Sequence, residues 1–319
     1  MNQTLRAELS AAYQAVGLPG DFQEKITREN TPLLKEYISF LHTLGGDGAW
    51  GAYPDLHVGF EIETLIAMIK NGTPFAGQNV VRSVNEQFTR SELCPAVAEL
   101  AFPKPVSITD LETQLITLFR VADQIDGKLR QHGAQLVFDS YTEQNQPKPN
   151  LVENPHYKDL LEHWSDEEYQ CAARGVGIHF NFAMSSLQMA IDAHDAIQQR
   201  YMLWQNLLTI FLPKNDRKRV CAIKALDAWY PVATKFRTPW KYFIAIKSRW
   251  IAAGNTGTID LSMMHANVMI KPGRVEVRDM GTTRNLRRIV DRGQKLHAIG
   301  YAAIHPHVNY TSQEQIGIW

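Results

Sequence analysis

Four short strand-like segments of this chain each carry carboxylate, imidazole or guanidinium groups on one face only. They are His57-Val-Gly-Phe-Glu61-Ile-Glu63, Ala96-Val-Ala-Glu99-Leu-Ala-Phe102, Gly175-Val-Gly-Ile-His179-Phe-Asn181-Phe-Ala183 and Arg274-Val-Glu276-Val-Arg278-Asp279. In a β-strand, residues i and i+2 share a face. Glu61 and Glu63 therefore point together, as do His179 and Asn181, and as do Arg274, Glu276 and Arg278. The alternate positions are apolar: Val58, Phe60 and Ile62; Ala98, Leu100 and Phe102; Ile178, Phe180 and Phe182; Val275 and Val277. The predicted sheet has one apolar face and one face of acids, a histidine and arginines. Carboxylates crowded on one surface repel each other and stay ionised together only with a cation among them. Oxygen ligands with a single imidazole suit Mg²⁺ or Mn²⁺ better than structural zinc. Arginines beside carboxylates suit phosphate, because the guanidinium grips its oxygens while the acids hold a bridging metal. These parts together point to nucleotide phosphates and phosphoryl transfer. Neither a P-loop nor a Gly-x-Gly-x-x-Gly motif occurs.

Helices must hold these strands in place. Residues 1–50 read as helical, with Leu5, Leu9, Tyr13 and Val16 on one stripe and Pro32 opening a second segment, Leu33 to Leu44. The stretch 71–91 carries few signals. A long helix is predicted from Thr109 to His132, with Thr109 and Glu112 as a capping box and Leu111, Leu115, Leu118, Ala122, Ile125 and Leu129 as its apolar stripe. A strand, Ala134 to Asp139, follows. Residues 140–174 are polar and proline-bearing and read as a lid or binding loop with a short helix near Trp164–Ala173. A further helix, capped by Ser185 and Gln188, carries Leu187, Ile191, His194 and Ile197. Lys271-Pro-Gly273 predicts a hairpin turn before the Arg274 strand. A last helix spans about 284–300. Antiparallel strands between long helices predict an α+β fold: an N-terminal helical extension over 1–50 and one domain over 51–319.

Bulk properties exclude several classes. With 45% hydrophobic and 21% charged residues among 319, the chain can bury a core and is no disordered polyelectrolyte. A formal net charge of zero argues against a nucleic-acid partner. No apolar run approaches a membrane span, and the first residues do not read as a signal peptide. The 3 cysteines, Cys94, Cys171 and Cys221, are far apart and odd in number, against a disulfide framework and in favour of a cytoplasmic setting.

The four segments, in this order, resemble the glutamate–cysteine ligase and carboxylate–amine ligase group of the glutamine-synthetase-like superfamily, which includes the amidoligases. Gly59-Phe-Glu61-Ile-Glu63 matches that group's Gly-x-Glu-x-Glu strand, and Glu92 stands seven residues before Glu99 as its acids do. Gly177-Ile-His179-Phe-Asn181 matches a Gly-x-His-x-His strand, with Asn181 in place of the second histidine. Arg274-Val-Glu276-Val-Arg278 matches the last strand, and the likeness covers roughly residues 57–300. The resemblance implies a curved antiparallel half-barrel with helices on its outer face. It implies ATP-dependent amide or peptide bond formation through an acyl phosphate, on an amino-acid or peptide carboxylate. Glu61, Glu63, Glu92, Glu99, His179 and Glu276 would hold Mg²⁺ or Mn²⁺. Arg278, Arg274 and Glu61 would form the catalytic set. Arg278, Asn181, Arg237 and His179 would contact the nucleotide, Arg237 by a loose match in Lys235-Phe-Arg237-Thr-Pro-Trp240. A carrier protein or peptide presenting the substrate, and a homo-oligomer, are compatible with it.

Plainer accounts exist for each part. Glu61, Glu63 and Glu99 alone read as a solvated strand face, His179 alone as a hydrogen-bonded core histidine, and Arg274, Glu276 and Arg278 alone as a charge ladder. Their joint occurrence favours a shared site. A non-catalytic nucleotide- or peptide-binding member and a metal-dependent hydrolase are the alternative functions. His194 falls in an apolar stripe and reads as a core histidine; His297, His305 and His307 read as surface groups. Trp229, Trp240 and Trp250 read as core or pocket wall, and Cys94 lacks a base for nucleophilic work.

Overall fold

In a computed structural model, the described residues are 3–22, 31–46, 48–90, 92–149, 157–158, 161–162, 164–208, 214–215, 218, 235–252, 254, 256–257, 259 and 268–307. The strands are β1 (Val58–Met68), β2 (Thr89–Arg90), β3 (Val97–Ala101), β4 (Ala134–Val137), β5 (Gly177–Ala183), β6 (Val268–Lys271) and β7 (Arg274–Gly281). They form a 7-stranded sheet in the order β2-β3-β1-β5-β7-β6, with β4 beside β1 off that path. Every pairing is antiparallel. β1 is the hub: β3 lies along one edge, and β5 and then β4 share the other.

The helices are α1 (Gln3–Ala15), α2 (Thr31–Gly45), α3 (Gln78–Arg82), α4 (Leu111–Arg130), α5 (Asp166–Ala173), α6 (Leu187–Leu208), α7 (Pro239–Ala252) and α8 (Leu286–Ile304). The expected α+β class therefore holds. No helix among the described residues is long and apolar enough to cross a membrane.

Alternation along the strands decides where the helices go. Phe60, Ile62, Leu100, Phe180, Phe182, Val275 and Val277 are buried together with Leu111, Leu115 and Leu118 of α4, Leu187 and Ile191 of α6, and Ile289 and Leu296 of α8. α8 comes very close to the sheet, because a Cβ on Gly293 would lie 2.9 Å from the Phe180 ring and 2.6 Å from Leu111. The N-terminal helices belong to this same core: Leu5, Leu9, Tyr13, Leu41 and Leu44 are buried in it. Tyr37 packs edge-on against Trp240 of α7, with ring centroids 5.0 Å apart. A second, smaller cluster lies on the opposite side of the sheet. Leu65 follows Glu63 by two residues and Val97 precedes Glu99 by two, so both share the acidic face. They are buried there with Cys94, Ala96 and Val176 against Tyr169 and Ala173 of α5. Helix α5 thus covers one end of the acidic face.

Local signals hold in part. Ser165 and Glu168 form a full capping box at the start of α5. The expected box at Thr109 and Glu112 does not form: a 3-10 turn, Ile108–Asp110, precedes α4, and Ser107 accepts the N–H of Thr109. Ser185 does not cap α6 either. Its backbone N–H and its hydroxyl both donate to Asp55, while Ser186 Oγ accepts the N–H of Met189. A carboxylate delivered by the chain before β1 is a stronger acceptor than a neutral cap, and it captures Ser185.

The β6–β7 turn places Pro272 and Gly273 between the paired residues Lys271 and Arg274. Gly273 has φ 68°, and a Cβ there would lie 2.3 Å from the carbonyl oxygen of Ala49. Gly48 has φ 73° with nothing within 4 Å, so it isolates the backbone effect from the collision. We expect Gly48→Ala to cost about 1–2 kcal/mol and Gly273→Ala about 2–4 kcal/mol. Equal denaturation midpoints for the two variants would refute the close contact.

Candidate metal and phosphate site

Strand register assembles the polar face. Glu63 lies opposite Glu99, Glu61 opposite His179, and Asn181 opposite Glu276. Between β5 and β7 the register shifts. Phe180 pairs with Val277 and Ile178 with Met280, so Arg278 and Asp279 both stand across from His179. A bulge of this kind re-aims side chains at functional sites.

His179 is buried between two acids. Its Nδ1 lies 3.1 Å from Glu61 Oε2 and its Nε2 lies 3.5 Å from Glu63 Oε1. Glu63 is steadied further by the N–H of Gly177, which donates to Oε2 at 2.9 Å. Glu63, Glu92 and Glu99 each offer an oxygen within 4.8 Å of the other two. Glu92 is not on a strand. Gln78 of α3 holds its loop, donating to the carbonyls of Glu92 at 2.7 Å and Cys94 at 2.8 Å. The stretch 71–91, silent in sequence, therefore positions a member of the cluster.

The electrostatics split this face in two. Burial and the neighbouring Glu92 carboxylate push the Glu99 carboxyl well above the usual range. Burial also pushes Glu92 up, against the effect of its hydrogen bond with Glu99. Burial works to raise Glu61, but the hydrogen bond to His179 and nearby positive charge bring it below the usual range. On β6 and β7 the balance reverses. Glu276, 1% exposed at its side chain, faces Lys271 Nζ at 2.7 Å and Arg274 Nη2 at 3.9 Å, and accepts from Arg278 Nε. Burial opposes its ionisation, yet Arg278, Lys271, His179 and Arg274 hold it well below the carboxylate range. Arg274 Nε also donates to Asn181 Oδ1 at 2.9 Å.

The expected residues thus fall into two groups and an outlier. Glu61, Glu63, Glu92, Glu99 and His179 form an acidic half. Arg274, Arg278 and Asn181 form a cationic half, and Glu276 sits among those cations rather than in the carboxylate triad. Arg237 stands apart. Its N–H donates to Asp195 at 3.0 Å and its carbonyl accepts from Gln188 at 2.9 Å, both on α6 of the apolar-side helix layer. Lys271 and Tyr157 escaped the sequence reading. Parity across the hairpin would have found Lys271, since it pairs with Arg274. Tyr157 had no signal; burial and the charges of Glu92, Glu99 and Glu63 push its phenol above the usual range.

Of the residues set aside, His297 departs from the surface reading: it lies half-buried on α8, with its ring stacked 6.2 Å from Tyr301. His194 is buried beside the Phe236 ring, 5.0 Å away, and 3.2 Å from Asp195. Trp240 and Trp250 are buried in the core. Trp229 and Cys221 lie outside the described residues. Burial pushes the Cys94 thiol up to about 11, unsuited to a nucleophile.

The acidic half fits a hard divalent cation. It offers several carboxylates and one imidazole, and the buried Glu92–Glu99 pair can lose its last proton readily only if a cation replaces it. Since Glu99 titrates above its unfolded value, it stabilises the metal-free fold at low pH and ceases to as pH rises through the folded value. We expect Mn²⁺ or Mg²⁺ binding to release a proton and to tighten by up to about tenfold per pH unit. Calorimetry in buffers of different ionisation enthalpy checks this, and an affinity indifferent to pH would refute it. Separately, a thiol shifted from 9.0 to about 11 should hold about 100-fold less thiolate. Iodoacetamide should accordingly label the half-buried Cys171 well before Cys94, as read by mass spectrometry.

No protein-family model and no curated protein matches this chain. Among solved structures it is similar to a bifunctional glutathione synthetase from Pasteurella multocida, at 15% identity and a TM-score of 0.47, over 81% of this chain and 40% of that one. The chain thus spans well under half the length of that protein, and a likeness this low carries no argument about chemistry.

Proposed function

We propose that this chain is an ATP- and Mg²⁺-dependent carboxylate–amine ligase, of the glutamine-synthetase-like superfamily its motifs resemble. One observation carries the reading: a single sheet face holds a carboxylate triad with oxygens within 4.8 Å of each other beside a group of cations gathered on β6 and β7. Such a pairing suits a phosphate chain, one end neutralised by metal and the other by guanidinium groups.

In this reading Glu63, Glu92 and Glu99, with Glu61 and His179 beside them, would hold Mg²⁺ or Mn²⁺, which supplies charge neutralisation on phosphate oxygens. Arg278 and Arg274 face the transferred phosphoryl group. A substrate carboxylate attacks the γ-phosphate, forming an acyl phosphate and releasing ADP. An amine then attacks the acyl carbon, loses its proton and expels inorganic phosphate, leaving an amide. Glu61 fixes the orientation of the His179 imidazole. The α5 side of the face, with its apolar cluster, excludes water that would hydrolyse the acyl phosphate. Amino acids or short peptides are the proposed substrates, with a carrier protein or peptide as an alternative source of the carboxylate. A metal-dependent hydrolase is less well supported, because among the described residues His179 is the imidazole engaged with the acidic cluster.

Incubation with ATP, Mg²⁺ and a pooled panel of amino acids and short peptides tests the proposal. ADP, phosphate and a product lighter than its substrates by one water are expected; ATP binding without turnover on any panel would favour the non-catalytic alternative. Glu61→Gln and Arg278→Lys should each lower turnover by about 10²-fold or more with the fold intact by circular dichroism. Lysine is the better probe at 278, since Arg278→Ala would withdraw a cation from buried Glu276 at a cost of up to about 3–5 kcal/mol. Full activity in either variant would remove the proposed site.

A further inference from the structure

We infer that Lys271 is a substrate-binding residue, which with Arg274 forms a seat for a substrate oxyanion at the β6–β7 end of the face, and that Glu276 is its positioning residue. The inference rests on reading this face as a substrate site, and not on the ligase chemistry itself. Lys271 closes β6, pairs with Arg274 across the hairpin, and so shares the face of Arg274 and Glu276. Its side chain is 22% exposed and that of Arg274 is 39% exposed, whereas that of Glu276 is 1% exposed. The carboxylate is thus sunk beneath cations that keep contact with solvent.

Charge counting shows why the arrangement wants an anion. Glu276 is the carboxylate paired with Lys271 and Arg274 among the described residues, and it also takes Arg278. Arg278 feels the acidic half as well, since Glu63 and Glu61 add to the effect of Glu276 in holding its proton. Lys271 also acts on Glu61, helping to draw that carboxyl down, so it stands between Glu276 and the acidic half. Arg274 spends its Nε on the neutral amide of Asn181 at 2.9 Å, and its Nη2 stands 3.9 Å from Glu276. Among the described residues, three cationic side chains therefore gather on one deeply buried carboxylate. Holding like charges together costs free energy that a bound anion returns.

The geometry names the ligand class and the division of labour. An ammonium offers rotatable point-charge donors and a guanidinium a planar fork; together they suit a carboxylate or a phosphate oxygen pair. Both sources are oxyanions, from the nucleotide or from the co-substrate. Glu276 accepts from Arg278 through Oε1, and its Oε2, buried without a hydrogen bond, lies 2.7 Å from Lys271 Nζ, so the carboxylate faces these cations rather than the ligand.

The test measures binding, without turnover. Tripolyphosphate and glutarate are titrated by calorimetry at low salt into the wild type, Lys271→Met and Lys271→Arg. Mn²⁺ binding, followed by electron paramagnetic resonance, monitors the acidic half. We expect at least one probe to bind the wild type, to weaken tenfold or more in Lys271→Met, and to recover in Lys271→Arg, with Mn²⁺ affinity changed less than threefold. Loss of tripolyphosphate assigns the seat to nucleotide phosphate; loss of glutarate assigns it to a carboxylate. Lysine acetylation mapped by mass spectrometry on the wild type needs no variant: the bound probe should protect Lys271 severalfold. Neither probe binding the wild type, equal binding by wild type and Lys271→Met, or unprotected Lys271 would overturn the inference. Probe binding through Lys271 in a protein that never turns over ATP would keep the seat and remove the ligase reading.

Discussion

Strand parity in β1 governs the rest of this molecule. Side chains alternate strictly along a strand, so a one-residue slip would turn Glu61 and Glu63 into the layer of Phe102 and Phe180 and put Phe60 and Ile62 on the polar face. Burying those carboxylates without partners would cost far more than any single contact in the structure offers. The register of β1 against β5, with Glu61 across from His179, is therefore tied to the packing of α4, α6 and α8 on the other face. Core and site are two consequences of one pairing.

That constraint leaves the polar face with too much charge of each sign in separate places. Carboxylates converge on β1, β3 and the Glu92 loop, and cations gather around Glu276 at the other edge. In the acidic half burial pushes the Glu99 and Glu92 carboxyls up, and in the cationic half Arg278 and Lys271 hold Glu276 low. These opposite responses of chemically identical side chains follow from their neighbours alone.

The loops contribute what the sheet cannot. Gln78 grips the carbonyls on either side of Leu93, so a five-residue helix with no periodic signal sets where Glu92 reaches. Asp55 takes Ser185 away from its helix and ties the entry of β1 to the exit of β5. Arg237 is held through its backbone by Asp195 and Gln188 of α6.

The amino-acid sequence alone determined the α+β class, the strands that bear the chemistry, the face each of their side chains takes, and the long helices of the core. These follow from periods of two and of three to four, which are local properties of a chain. Tertiary structure decided the order of the strands and the register that sets Glu63 against Glu99. It also decided the bulge opposite His179, the capture of Ser185 by Asp55, the place of Arg237, and the gathering of Lys271 and Arg274 on Glu276. Each of these depends on which distant segments meet. A period along the chain says which way a side chain points, and only packing says what stands in front of it.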